Sequence, residues 1–92
     1  MSYILGFTKV ALADIEKHRK AGDKAVLRKI AKLLNEIKEN PTEGTGRIEL
    51  MKYDLSGKIS RRINHKHRLV YTIEEDIVTV HVLSLWGHYG DK

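Results

Sequence analysis

The chain has 92 residues, 41% of them hydrophobic and 32% charged, with 17 Lys and Arg against 12 Asp and Glu for a net charge of +5. That is material for one core, so a single domain spanning residues 1–92 is expected and a multi-domain enzyme is excluded. The lack of cysteine excludes a disulfide framework and a thiolate zinc site, and no apolar run approaches the roughly 20 residues that span a bilayer, so a cytoplasmic protein with no membrane partner is expected.

Tyr3 to Phe7 is short, apolar and aromatic-bearing, which predicts a first strand, and Thr8 follows as a helix N-cap. A helix over 9–20 comes next. Ala21-Gly22-Asp23 combines a glycine that closes one helix with an aspartate that caps another. Val26, Ile30, Leu33, Leu34 and Ile37 then recur at i, i+4, i+7, i+8 and i+11, one apolar face of a second helix that stops near Asn40-Pro41. The two helices form a hairpin.

Gly44 and Gly46 mark a loop, after which the helical period gives way to β-rich runs around 48–52, 58–64, 68–74 and 77–85. Turns at 56–57, 64–67 and 74–76 are too short for a parallel return, so these neighbours pair antiparallel. The expected fold is α+β, in the order β-α-α-β-β-β-β, with a helical hairpin packed on a mainly antiparallel sheet. In 58–64, Ile59 and Ile63 share one parity and Ser60 and Arg62 the other, so one sheet face is expected to meet the helices and a polar face to stay open for function. Arg61 breaks the pattern on the Ile side, and an intramolecular salt bridge is expected for it.

Charge is uneven along the chain. Residues 44–68 hold seven basic groups and only Glu49 and Asp54 as acids, whereas 69–92 hold four acids and Lys92. A basic middle section with an arginine doublet suits a phosphate-bearing partner, because guanidinium offers a planar fork of donors to phosphate oxygens.

The segment Glu49-Leu50-Met51-Lys52-Tyr53-Asp54-Leu55-Ser56-Gly57-Lys58-Ile59-Ser60-Arg61-Arg62-Ile63, then His67-Arg68-Leu69-Val70-Tyr71 and a closing His88-Tyr89, resembles the YoeB/Txe family of toxins within the RelE/ParE-like superfamily. The likeness is detailed from Asn40-Pro41 to Tyr89 and extends to element order before that. It departs from the family pattern at Thr42, Ile48, Lys58, Ile59 and Gly87, and in the added Gly90-Asp91-Lys92. The resemblance implies a small cytoplasmic endoribonuclease that enters the 30S A site of the ribosome, cuts mRNA and is restrained by a YefM-like antitoxin. A homodimer is compatible with it, and no cofactor or metal is implied.

Metal-free RNA cleavage needs a base for the 2'-hydroxyl proton, donors for a pentacovalent phosphorane and an acid for the departing 5'-oxygen. By resemblance Glu49 is the base, kept ionised by surrounding cations, with pairing to Lys52 or Arg47 as its purely structural alternative. His88 is the acid, since an imidazole pKa of about 6.5 lets it donate near neutrality. Arg68 is the transition-state donor, Arg62 and Lys52 are substrate-binding groups, and Tyr89 positions the phosphate or stacks on a base. A ParE-like gyrase inhibitor and a plain RNA-binding module are the alternatives to the nuclease. Trp86 is expected in the core, with base stacking as the lesser alternative, His65 and His67 in a turn, and His81 as a hydrogen-bonded strand residue; His18 carries no signal.

Overall fold

The computed structural model describes residues 2–50 and 57–87. Strand β1 (Ile4–Phe7) runs through Thr8 into helix α1 (Lys9–Ala21), and helix α2 (Lys24–Glu39) follows after two residues. Both helix starts are capped as expected: Thr8 Oγ1 accepts from the Ala11 amide, and Asp23 Oδ1 accepts from those of Ala25 and Val26. Gly22, in the left-handed region at φ 75°, closes α1 by donating its N–H to His18 O. No helix among the described residues is long and apolar enough to cross a membrane.

Four more strands follow, β2 (Glu49–Leu50), β3 (Ile59–Arg62), β4 (Arg68–Glu74) and β5 (Thr79–Ser84), in a sheet ordered β1-β5-β4-β3-β2. The pairs β2–β3, β3–β4 and β4–β5 are antiparallel, while β1 joins β5 in parallel, a pairing that the intervening helices permit. Two strands are shorter than their apolar runs. The amides of Ile63 and Asn64 both turn to His67 O, which ends β3, and Ile77 lies in a 3-10 turn (Glu75–Ile77) before Val78 bends the chain at φ 48°.

Directly opposed residues share a sheet face. The register therefore puts Leu5, Phe7, Ile59, Arg61, Leu69, Tyr71, Ile73, Val80 and Val82 on the helix side. Leu33 and Ile37 of α2 and Ala11 of α1 complete a core in which Leu69, Tyr71, Val80 and Val82 are also fully buried. Each buried Leu, Ile or Val side chain contributes about 1.5–3 kcal/mol by leaving water. The opposite face holds Glu49, Ser60, Arg62, Arg68, Val70 and Ser84. It is not the open polar surface expected, because Ser60, Arg68, Val70 and Ser84 are all buried there and only Glu49 and Arg62 among these are exposed.

Candidate active site

Two cross-strand pairs build the site. Glu49 on β2 stands opposite Ser60 on β3, and one row along the same face Arg62 on β3 stands opposite Arg68 on β4. Residues 19 positions apart in the chain, Glu49 and Arg68, thus come together: Arg68 Nη2 lies 3.5 Å from Glu49 Oε1. The Arg68 side chain is 7% exposed and that of Glu49 55%, so a buried cation backs a carboxylate open to solvent.

Arg68 is held from several sides. Its Nε donates to Ser60 Oγ at 2.9 Å, its Nη2 to Arg47 O at 2.8 Å, and its backbone N–H to Gly87 O at 3.0 Å. Desolvation pulls the guanidinium below the ordinary arginine value; the Glu49 charge opposes that, and the charges of Arg62 and Arg47 reinforce it. It stays protonated at neutral pH nonetheless, because an arginine begins so far above it. The result is a fixed cation whose fork is only partly satisfied by neutral oxygens, suited to an anionic oxygen arriving beside Glu49.

Arg47 completes the cluster. Its Nε is 4.0 Å from Glu49 Oε2, so the structural pairing weighed for Glu49 exists alongside the contact with Arg68. Arg47 sits at φ 39°, a left-handed conformation uncommon without glycine, and this strained residue offers its carbonyl to Arg68. The loop before it is clamped by Arg61, which is fully buried on the helix side. Arg61 Nε donates to Tyr71 Oη, Nη1 to Glu36 Oε1 and Thr45 O, and Nη2 to Asn40 O and Glu43 O. The salt bridge expected for Arg61 is its contact with Glu36, at 3.3 Å.

Of the residues singled out from the sequence, Glu49, Arg62 and Arg68 share one patch. Lys52, His88 and Tyr89 lie outside the described residues. Trp86 is not in the core: it is 42% exposed, with its ring centroid 4.8 Å from that of His18 and 4.3 Å from that of His67. The reason lies one residue earlier. Asp14 Oδ2 accepts the Leu85 amide and His18 Nε2 donates to Leu85 O, so two buried side chains of α1 take both backbone groups of Leu85 and bury its side chain, turning Trp86 outward. Asp14 and His18 were not recognised from the sequence; their i, i+4 spacing on the buried face of α1, with Ala11, is the signal that marks them. His67 falls in the β3–β4 turn, where its Nδ1 accepts the Gly87 amide, and His81 contacts Glu74 Oε1 at 2.7 Å. Gly87 adopts φ 81°, a left-handed conformation that favours glycine.

Residues 7–89 match the family model described as YoeB-like toxin of bacterial type II toxin-antitoxin system. The Toxin YoeB of Synechocystis sp. is 38% identical over 86 residues, 88% of this chain and 96% of that protein. The fold matches a YoeB/ParE toxin from Agrobacterium tumefaciens with a TM-score of 0.86 at 31% identity, covering 94% of this chain and 99% of that one. A heterotetrameric YoeB-YefM toxin-antitoxin complex from Staphylococcus aureus contains a chain similar at a TM-score of 0.78 and 38% identity, covering 97% of this chain and 100% of that one.

Proposed function

This chain belongs to the YoeB-like toxins of bacterial type II toxin-antitoxin systems, and from that premise we propose that it is an endoribonuclease that stops translation by cutting mRNA in the ribosomal A site. The observation that carries the reading is the Glu49 carboxylate, open to solvent, against the buried Arg68 guanidinium, with Arg62 alongside. A carboxylate beside fixed cations is what attack of a 2'-hydroxyl on its neighbouring phosphate requires. Glu49 takes the 2'-hydroxyl proton as the 2'-oxygen bonds to phosphorus. Arg68 stabilises the charge gathered on the non-bridging oxygens, with Arg62 and Lys52 binding the strand. The bond to the 5'-oxygen then breaks, His88 supplies that oxygen with a proton, and Tyr89 positions the phosphate; the products are a 2',3'-cyclic phosphate and a 5'-hydroxyl.

Gly87, immediately before His88, accepts a hydrogen bond from the Arg68 amide, which supports a shared site for these groups. The basic surface around Arg47 and Arg62 also suits an acidic segment of a YefM-like antitoxin, which would occupy the site and silence it. The test is cleavage of messenger on the ribosome, with 5' ends mapped. Translation should stop before DNA replication does; replication stopping first, with messenger intact, would point instead to a gyrase inhibitor.

A further inference from the structure

We propose that the cavity between the α1–α2 turn and the β3–β4 turn, lined on one side by Trp86, is a subsite for one unstacked nucleobase of the cut strand; this rests on the reading of the chain as an RNA-cutting toxin. The cavity measures about 590 Å³ and its lining includes His18, Asn64, Lys66, His67 and Trp86. That volume lies within the range of roughly 300–1,000 Å³ common to small-ligand sites.

The indole is exposed but not loose. His18 and His67 pack against it, and each is itself anchored, His18 on Leu85 O and His67 on the Gly87 amide. A flat aromatic held in place by buried His18 and half-buried His67 and left 42% open to water is a stacking platform that pays little ordering entropy on binding. Lys17 Nζ lies 5.5 Å from the centroid of the Trp86 ring, and Lys66 stands exposed in the cavity wall. Both cations sit on flexible stems that can follow the phosphates flanking a base. Asp23 is the one carboxylate among the described residues of the lining, and its Oδ1 is engaged by the amides of Ala25 and Val26. Asn64 Oδ1 takes the amides of Lys66 and His67, which leaves the Nδ2 donors of that side chain for a base carbonyl.

The cavity adjoins the proposed chemistry. His67 and Trp86 line it, and the residues that follow them, Arg68 and Gly87, are joined by the hydrogen bond from the Arg68 amide to Gly87 O. Since side chains alternate along a strand, a chain rounding this end of the sheet passes from the Arg68 face to the Trp86 cavity within a few nucleotides.

Trp86 is the only tryptophan, so its emission reports on the cavity directly. The full-length protein is titrated with a 2'-O-methyl pentanucleotide, which cannot be cut, with an abasic strand of the same length, and with a pentaglutamate peptide. Base-dependent quenching is expected. In anisotropy with the labelled pentanucleotide, Trp86→Leu should weaken binding by roughly five- to 150-fold, the effect of losing one stacked base, and Trp86→Phe should restore most of it. Thermal unfolding confirms that both variants are folded. Equal quenching by the abasic strand overturns the subsite, as does stronger quenching by pentaglutamate, which would make the cavity a socket for an acidic partner; so does unaltered binding by Trp86→Leu. Messenger cleavage on the ribosome is scored separately. Base-dependent quenching without cleavage upholds the subsite and removes the nuclease, whereas cleavage without base-dependent quenching does the reverse.

Discussion

Ser60 Oγ accepts a hydrogen bond from Arg68 Nε at 2.9 Å, so a fully buried neutral hydroxyl sets the direction in which the Arg68 fork points. The serine keeps Arg68 aimed at Glu49 without neutralising it, as a second carboxylate would. Ser60→Ala should preserve the fold and lower the single-turnover rate on ribosome-bound messenger by roughly 10-fold, the effect of losing one hydrogen bond to a charged group. Arg68→Lys should cost more, because an ammonium cannot reach Ser60, Arg47 and a phosphate oxygen together. A wild-type rate in Ser60→Ala would show that the orientation of Arg68 is irrelevant.

Arg61 makes the opposite use of the same side chain. Its five hydrogen bonds end inside the protein and fasten the 40–45 loop to the sheet. Arg61→Met should leave the carbonyls of Asn40, Glu43 and Thr45 short of partners and reduce stability by about 3–5 kcal/mol in urea unfolding. Arg62→Met, one residue on but exposed, should change stability by less than about 0.5 kcal/mol and weaken RNA binding in a salt-dependent way.

Two glycines separate packing from backbone strain. Both Gly46 and Gly57 have positive φ, 91° and 87°. A Cβ on Gly46 would lie 2.9 Å from Leu33 Cδ2 and 3.1 Å from Arg62 O, whereas one on Gly57 meets nothing within 4 Å among the described residues. Gly57→Ala should cost about 1–2 kcal/mol for the left-handed backbone alone. Gly46→Ala should cost a further 1–3 kcal/mol or so from crowding, readable as a larger drop in Tm.

Much of this fold is legible in the chain because its determinants are local. Thr8, Gly22, Asp23 and Pro41 bound the helices through contacts within a few residues, and the short turns after residue 56 allow only antiparallel neighbours. The parallel seat of β1 beside β5 depends on residues more than 70 positions apart, and no local pattern announces it. Parity correctly grouped Ser60 with Arg62 and isolated Arg61. It could not show that Arg68 is buried, since that depends on the strained carbonyl of Arg47 reaching it across the sheet. Hydrophobicity alone assigns a lone tryptophan to the core, whereas the position of Trp86 follows from Asp14 and His18 capturing Leu85. Family likeness rather than any spacing rule puts Glu49 and Arg68 in one set, and their 3.5 Å contact follows from the strand register.

Glu36 makes stability depend on pH. Hydrogen bonds from the Thr45 hydroxyl and amide hold its carboxyl below the usual carboxylate range, with smaller help from Lys32 and Arg61. A depressed folded-state pKa means that the stabilisation is complete above the unfolded value, about 4.3, and fades as pH falls toward the folded one. Denaturation midpoints should therefore drop below about pH 4.3, and Glu36→Gln should flatten that part of the profile while lowering stability at neutral pH. An identical acid limb in Glu36→Gln would contradict the assignment.

The most direct test compares the wild-type protein with Glu49→Gln, Arg68→Met and His88→Gln in single-turnover cleavage of ribosome-bound messenger, each first shown to be folded. Wild type should cut within the A-site codon and leave a 2',3'-cyclic phosphate, and each substitution should slow the cut by roughly 10²- to 10⁴-fold, the range for losing a general acid, a general base or a transition-state donor. Undiminished cleavage in Glu49→Gln and Arg68→Met would contradict the proposed active site.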